Sequence, residues 1–340
     1  MNDERNRIIH LVGGQMAGQV VAAAARLGVA DLIGDDVRTG PELADRLGAD
    51  PAALTRLLRA LAALGLLTEV DAGTFRLTGA GALLRTDRPD SLTEHVLMFS
   101  DPTMLAAWQR LDDAVRTGAT TFEAVFGVSF FEHLSGNPRL SARFNASMRQ
   151  STLATAAVLP TSYDFVRFHT VLDIGGGNGA LLAAVLARHP ALRGVLYDTA
   201  PGLSEADATL AEAGVADRCA TRTGNFFTSI PPDADLYMLK SVLHNWDDER
   251  AHTILEHCRK VIPHHGRLLI IERVLPGQVT GSGQSGMYLA DLNMLVNVGG
   301  RERTHVEFEQ LCTRAGFNVI DVRALPAPSW FSMIEAAPTH

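Results

Sequence analysis

Cysteine is scarce in this chain: three residues in 340, Cys219, Cys258 and Cys312, far apart and without a Cys-x-x-Cys pair. An odd, scattered set excludes a disulfide framework and a cysteine-ligated zinc site, and it fits small buried apolar residues in a reducing compartment. Lysine is scarcer still. Only Lys240 and Lys260 occur, and every other basic residue is arginine; with the abundant Ala and Gly, this reads as GC-rich coding bias. Positive charge is in deficit, with 30 basic against 38 acidic side chains and a net charge of −8. That balance points to a soluble protein and away from nucleic acid as the main partner. A long hydrophobic run is missing too. Residues 8–25 carry no charge apart from His10, but Gln15, Gln19 and the glycines dilute the stretch, and Asp3 and Glu4 spoil the basic start of a signal peptide. The expectation is a buried amphipathic helix in a cytoplasmic protein with no membrane partner.

What is present is ample for a large core: 46% of residues are hydrophobic, and the length suits two domains. Helical spacing runs from Asn6 to Gly34. Gly40-Pro41 then opens a compact unit, with a helix over 41–47 bounded by Pro41 and Gly48. A second helix over 51–64 carries Leu54, Leu57, Leu58, Leu61 and Leu64 on one face. Residues 66–70 and 74–77 read as a hairpin around Asp71-Ala72-Gly73. Helix, helix, hairpin is a winged-helix pattern, so DNA binding has to be weighed. Between Arg38 and Arg88, however, seven Arg face six Asp plus Glu, and a near-neutral unit lacks the basic stripe that phosphate contacts need. Packing or dimerisation is the favoured role.

Residues 91–160 read as helices broken at Asp101-Pro102 and Asn137-Pro138. From Thr170 strands alternate with helices, which implies an α/β unit: a mostly parallel, Rossmann-like sheet with helices on both faces. Its first strand ends in Gly175-Gly176-Gly177-Asn178-Gly179, a turn that brings the main chain close to a ligand. Asp198 ends the next strand, 23 residues after Gly175, where a carboxylate can accept from both hydroxyls of a ribose. A glycine loop that merely packs a helix, beside a surface Asp, is the other reading.

These motifs together resemble the class I S-adenosylmethionine-dependent methyltransferases, specifically the caffeic-acid-type O-methyltransferase family and its bacterial natural-product branch. The resemblance spans nearly the whole chain: the winged N-terminal unit, VLDIGGGNGALL, GNFF, LKSVLHNWDDE, IIERVLP and GGRERT occur in family order. It implies S-adenosylmethionine as methyl donor, leaving as S-adenosylhomocysteine, and no metal. Gly175 and Gly177 would lie beside its methionine part, Asp198 on the ribose, Asn225 and Phe226 at the adenine, and Lys240 at a further contact. Asn225 stands where the family usually has Asp; it keeps an acceptor oxygen but no charge.

Within the same resemblance, His244 is the general base, flanked by Glu272 and Glu302. A phenol must lose its proton to attack a sulfonium methyl in line, and an imidazole with a reference pKa near 6.5 is suited to take it. A neighbouring carboxylate fixes its tautomer. Asn245 replaces a common Asp, which leaves His244-Asn245 a poor metal pair; His264-His265 reads as a solvated turn. Met148, Asn293, Met294 and Asn297 would line the acceptor pocket, the last three from a helix over 287–298. The expected organisation is a helical and winged-helix dimerisation domain at 1–90 and a catalytic domain at 91–340, its helical acceptor segment at 91–160 and its Rossmann-like core at 161–340. The expected function is O-methylation of a small aromatic hydroxyl by a homodimer. The alternatives are C- or N-methylation or a non-methylating reaction on the same scaffold, and a ligand-responsive DNA-binding protein.

Overall fold

The computed structural model describes residues 2–232 and 234–339. The chain packs as two compact units, one reaching to Leu105 and including Ala142–Gln150, the other comprising Ala106–Ser141 and the chain from Ser151 onward. The boundary expected at residue 90 therefore falls inside the first unit.

In that first unit a long helix, Asn2–Leu27, is followed at Gly28 by a short one, Val29–Ile33. Strand β1 (Arg38–Thr39) leads into the helix Gly40–Leu47, started by a reciprocal cap. The Thr39 N–H donates to Glu42 Oε2 at 2.8 Å, and the Glu42 N–H donates to Thr39 Oγ1 at 3.3 Å. The helix Pro51–Ala63 begins on Asp50, and β2 (Leu67–Asp71) with β3 (Thr74–Leu77) makes the hairpin. β1 adds a third strand on β3, which its length of two residues hid from the sequence. Leu43, Leu54, Leu58, Leu61 and Phe75 form the core. Leu64, expected on this apolar face, instead sits at the end of its helix and is exposed.

The N-terminal helix overturns one expectation. Ile8 is 62% exposed and Leu11 and Met16 are each 69% exposed, so its first half is not buried within the chain. Glu4–Leu27 is also long and apolar enough, by length and composition, to cross a membrane, contrary to the reading of it as too polar.

The second unit holds a seven-stranded sheet: β4 (Thr170–Ile174), β5 (Arg193–Asp198), β6 (Cys219–Thr223), β7 (Leu236–Lys240), β8 (Arg267–Glu272), β11 (Phe317–Ala324) and β12 (Ser332–Pro338), with β9 (Val274–Leu275) and β10 (Arg303–Thr304) paired separately. Its order is β11-β12-β8-β7-β4-β5-β6. The five strands from β8 to β6 run parallel, while β12 and β11 return antiparallel along one edge. Alternate residues feed two cores. Tyr237 and Leu239 pack on one face with Ile254, Leu255 and Phe308, and Leu236 and Met238 pack on the other with Leu181, Val185 and Leu210. Both faces are thus covered, as parallel strands require. Cys258 and Cys312 are buried and Cys219 half-buried, all three as free thiols.

Leu58 has no exposed surface in the first unit's core. Leu58→Ala is expected to lower stability by about 2–5 kcal/mol, read from urea unfolding.

Candidate active site

From β4 the chain proceeds outward through β5 to β6, then returns to β4's other side at β7. A reversal of this kind opens a crevice at the carboxyl ends of the two central strands. Here those ends are the glycine turn after β4 and residues 240–246 after β7. Gly175 has φ 69°, and a Cβ on it would lie 2.8 Å from Val242 Cγ2 and 3.9 Å from the Phe226 ring, so only glycine lets these segments meet. The side of the loop at Gly177 is open, with nothing within 4 Å of a Cβ position. The Gly177 N–H donates to Asp198 Oδ2 at 2.8 Å, tying the loop to the end of β5.

The other residues expected around a nucleoside lie on the same rim. Asn225 Oδ1 accepts the Phe227 N–H at 2.9 Å, so the acceptor expected for adenine already serves the turn. Phe226 and Phe227 meet edge-on at 4.9 Å between centroids. Lys240 is not a solvated surface lysine: its Nζ donates to Thr152 Oγ1 at 3.1 Å and lies 4.7 Å from the Phe331 ring centre. Burial brings its ammonium down to about 8. Beneath the turn, Asp173 Oδ2 is buried without a hydrogen-bond partner, and burial, then the charge of Asp198, pushes this carboxyl up to about 7. An open glycine turn with an orphaned acid beneath it and a carboxylate at the next strand end fits a nucleoside ligand that also carries a cationic group.

His244 sits in the single helical turn Leu243–Asn245. Ser241, just before it, is held at φ 55°, the left-handed region that favours glycine, which marks a conformation imposed by the surroundings. Glu272 imposes it. This carboxylate has no exposed surface, and its Oε1 accepts N–H groups from Val242 at 2.9 Å, Leu243 at 3.0 Å and, weakly, His244 at 3.4 Å. Its Oε2 is 3.6 Å from His244 Nδ1, too long for a hydrogen bond but close enough for its charge to be felt. The imidazole's direct partner is Glu302, whose Oε1 lies 3.1 Å from Nδ1. The two glutamates therefore do different work: one shapes the main chain and the other holds the ring. An Nδ1–H donated to Glu302 leaves the Nε2 lone pair as the proton acceptor.

Glu302 comes from a loop that closes on the His244 turn through the backbone. The Arg301 N–H donates to His244 O at 2.9 Å, and a Cβ on Gly300 would lie 2.1 Å from that same oxygen. Arg303, also buried, donates to Leu243 O at 3.0 Å, Trp246 O at 2.9 Å and Asp248 Oδ1 at 2.8 Å. Gly300 and Arg303 were absent from the expected site, although the charge triplet Arg301-Glu302-Arg303 marks the segment. Arg273, equally unforeseen, donates to Glu302 Oε1 at 3.1 Å.

Burial is the largest influence on His244 and opposes protonation, yet Glu272 and then Glu302 outweigh it and hold the imidazole above its ordinary value. Burial likewise pushes the Glu272 carboxyl up. For Glu302 burial acts the same way, but His244 and Arg273 prevail and keep it below the usual carboxylate range. The ligand atoms of the three lie within 4.8 Å of one another, a spacing that metal ligands also show. One oxygen of Glu302 holds both a guanidinium and an imidazole, and one of Glu272 holds backbone N–H groups, while the second oxygen of each is buried without a hydrogen-bond partner.

Asn293 and Asn297 share a buried face of the helix Ser285–Asn297, while Met294 beside them is half-buried. The Trp108 Nε1–H and Asn297 Nδ2 both donate to Asn293 Oδ1, each at 2.9 Å, so these two amides are locked together. Met148 lies in the stretch belonging to the first unit.

A sheet of this topology, with a glycine turn and strand-end carboxylate at its switch point and an acid–base pair beside them, defines the class of Rossmann-like S-adenosylmethionine-dependent methyltransferases. The chain belongs to the O-methyltransferase family within it: residues 108–318 match the O-methyltransferase domain and residues 9–87 the O-methyltransferase dimerisation domain. It is 47% identical to the O-demethylpuromycin-O-methyltransferase of Streptomyces alboniger over 98% of this chain and 89% of that protein. It is similar to the crystal structure of LaPhzM, with a TM-score of 0.91, 40% identity and coverage of 98% and 99%. A neocarzinostatin-biosynthesis O-methyltransferase, NcsB1, solved with S-adenosylmethionine and 2-hydroxy-5-methyl naphthoic acid, matches with a TM-score of 0.78 at 33% identity, covering 94% and 95%. The protein is an S-adenosylmethionine-dependent O-methyltransferase with a self-associating N-terminal domain.

Gly300→Ala is expected to lower kcat on the order of 10²-fold by pushing the His244 turn about 1 Å out of line. Calorimetry should find S-adenosylmethionine binding within a few-fold of the parent.

Proposed function

We propose that the chain methylates a hydroxyl on a small aromatic natural-product intermediate and that His244 is the general base. The observation that carries this reading is the 3.1 Å contact between His244 Nδ1 and Glu302 Oε1, which turns the Nε2 lone pair into the proton acceptor. When bound, S-adenosylmethionine supplies an electrophilic methyl on its sulfonium. Gly175 and Gly177 would hold its methionine part, Asp198 its ribose, Asn225 and Phe226 its adenine, and Lys240 would make a further contact. His244 Nε2 takes the proton of the acceptor hydroxyl, and Glu302 stabilises the imidazolium that results. Glu272 keeps the turn in register through its three backbone N–H bonds.

Asn293, Met294 and Asn297 wall the acceptor. The small aromatic class is supported by relatives named for puromycin, phenazine and 3-amino-4-hydroxybenzoate methylation. The exposed apolar face of the helix Asn2–Leu27 supports a homodimer built through the N-terminal unit, and we place the protein in the cytoplasm, as the scattered free cysteines suit a reducing compartment. The set His244, Glu272 and Glu302 supports methylation over the non-methylating reactions of the scaffold, and the relatives named as O-methyltransferases support a hydroxyl as acceptor.

His244→Ala is expected to cut kcat by about 10²–10⁴-fold while binding S-adenosylmethionine normally; full activity would remove His244 from the mechanism. Activity needs the neutral imidazole. In the intact enzyme kcat/KM should therefore fall on the acid side through an apparent pKa above the ordinary value of about 6.5. Size-exclusion with light scattering should give a dimer, and Leu11→Glu with Met16→Glu should give a monomer.

A further inference from the structure

β9 and β10 pair in parallel with Val274 opposite Arg303. That register sets Arg273 level with Glu302, and the Arg273 guanidinium reaches Glu302 Oε1 at 3.1 Å, the same oxygen that His244 Nδ1 approaches at 3.1 Å. One carboxylate oxygen therefore serves two cationic partners. Arg273 is held there from its other side by Phe331, whose buried ring centre lies 5.2 Å from the guanidinium carbon. The resemblance that marked His244, Glu272 and Glu302 gave Arg273 no role.

We propose that Arg273 is a positioning residue for the methyl transfer, drawing part of the Glu302 charge away from His244 and so keeping the imidazole available as a neutral base. The inference rests on His244 being that base. Charge counting gives the direction. With Arg273 present, the group His244, Glu272, Glu302 and Arg273 carries −1 when the imidazole is neutral and 0 when it is protonated, taking both carboxylates as ionised. Without Arg273 those states carry −2 and −1, so protonation is favoured more strongly. The remaining charged groups around the site do not substitute for it. Arg303 is committed to Asp248 and two carbonyls, Asp291 accepts the Glu302 N–H at 2.8 Å, and Lys240 is turned to Thr152 and Phe331. In agreement, the surroundings raise the imidazole above its ordinary value even with Arg273 pulling it down.

The test compares pH profiles of kcat/KM for the intact enzyme, Arg273→Gln, Arg273→Lys and His244→Ala, using labelled S-adenosylmethionine and one acceptor. Arg273→Gln should move the acid limb alkaline by about one pH unit, with activity restored toward the parent on the alkaline side. Arg273→Lys should return the limb most of the way. Arg273→Gln with an unmoved limb and activity lowered equally at every pH would overturn the proposal, as would an acid-ward shift. If His244→Ala retains the parent activity and limb, the base reading fails, and this inference with it. If His244→Ala is inactive while the Arg273→Gln limb stays put, only the role of Arg273 is lost.

Discussion

Two carboxylates and one imidazole are buried against each other beside the central strands, and the rest of the site is arranged to make that tolerable. Charges removed from water cost several kcal/mol each unless they are paired and hydrogen-bonded. Glu272 Oε1 is met by main-chain N–H groups and Glu302 Oε1 by His244 and Arg273, while Oε2 of each is buried without a hydrogen-bond partner. The compensation comes from three separate segments: the end of β8 with Arg273 directly after it, the turn after β7, and the 299–303 loop. Each needs the others in place. The loop cannot approach unless position 300 lacks a side chain, and the carbonyls of His244 and Trp246 accept from Arg301 and Arg303.

The sheet topology then sets this cluster next to the nucleoside crevice. Because the chain reverses direction between β4 and β7, the glycine turn and the His244 turn emerge side by side, and Gly175 packs directly on Val242. The glycine turn and the His244 turn are thereby fixed to one edge of the sheet. The alternation of residues along β7 buries both sheet faces and anchors that edge.

Much of this was legible in the chain. The glycines, Asp198, His244 and Glu272 stand out because strand ends are where ligands meet an α/β sheet, Glu302 was marked by the family resemblance alone, and four of the seven strands show as apolar runs. The division of labour between the glutamates was not legible, since nothing in a residue type says whether a carboxylate will face a ring or a backbone. Arg273 and Arg303 look like surface arginines until β9 and β10 pair. The hairpin of β11 and β12 passed unnoticed because β11 lies on the sheet edge, where its exposed alternate positions dilute the apolar pattern. The apolar half of the N-terminal helix was read as core because periodicity reports an apolar face and not what covers it. That Asn225 Oδ1 also accepts the Phe227 N–H was not legible, although short amides readily bond their own turn.

The central claim is that His244 carries its proton on Nδ1, toward Glu302, and keeps Nε2 free. The most direct measurement is nitrogen-15 NMR of the labelled imidazole in the intact enzyme, with the signal identified by its loss in His244→Ala. The account requires a neutral ring above its pKa with Nδ1 protonated and Nε2 bare. A ring protonated on Nε2 alone, or one that stays doubly protonated throughout the pH range of activity, would contradict it.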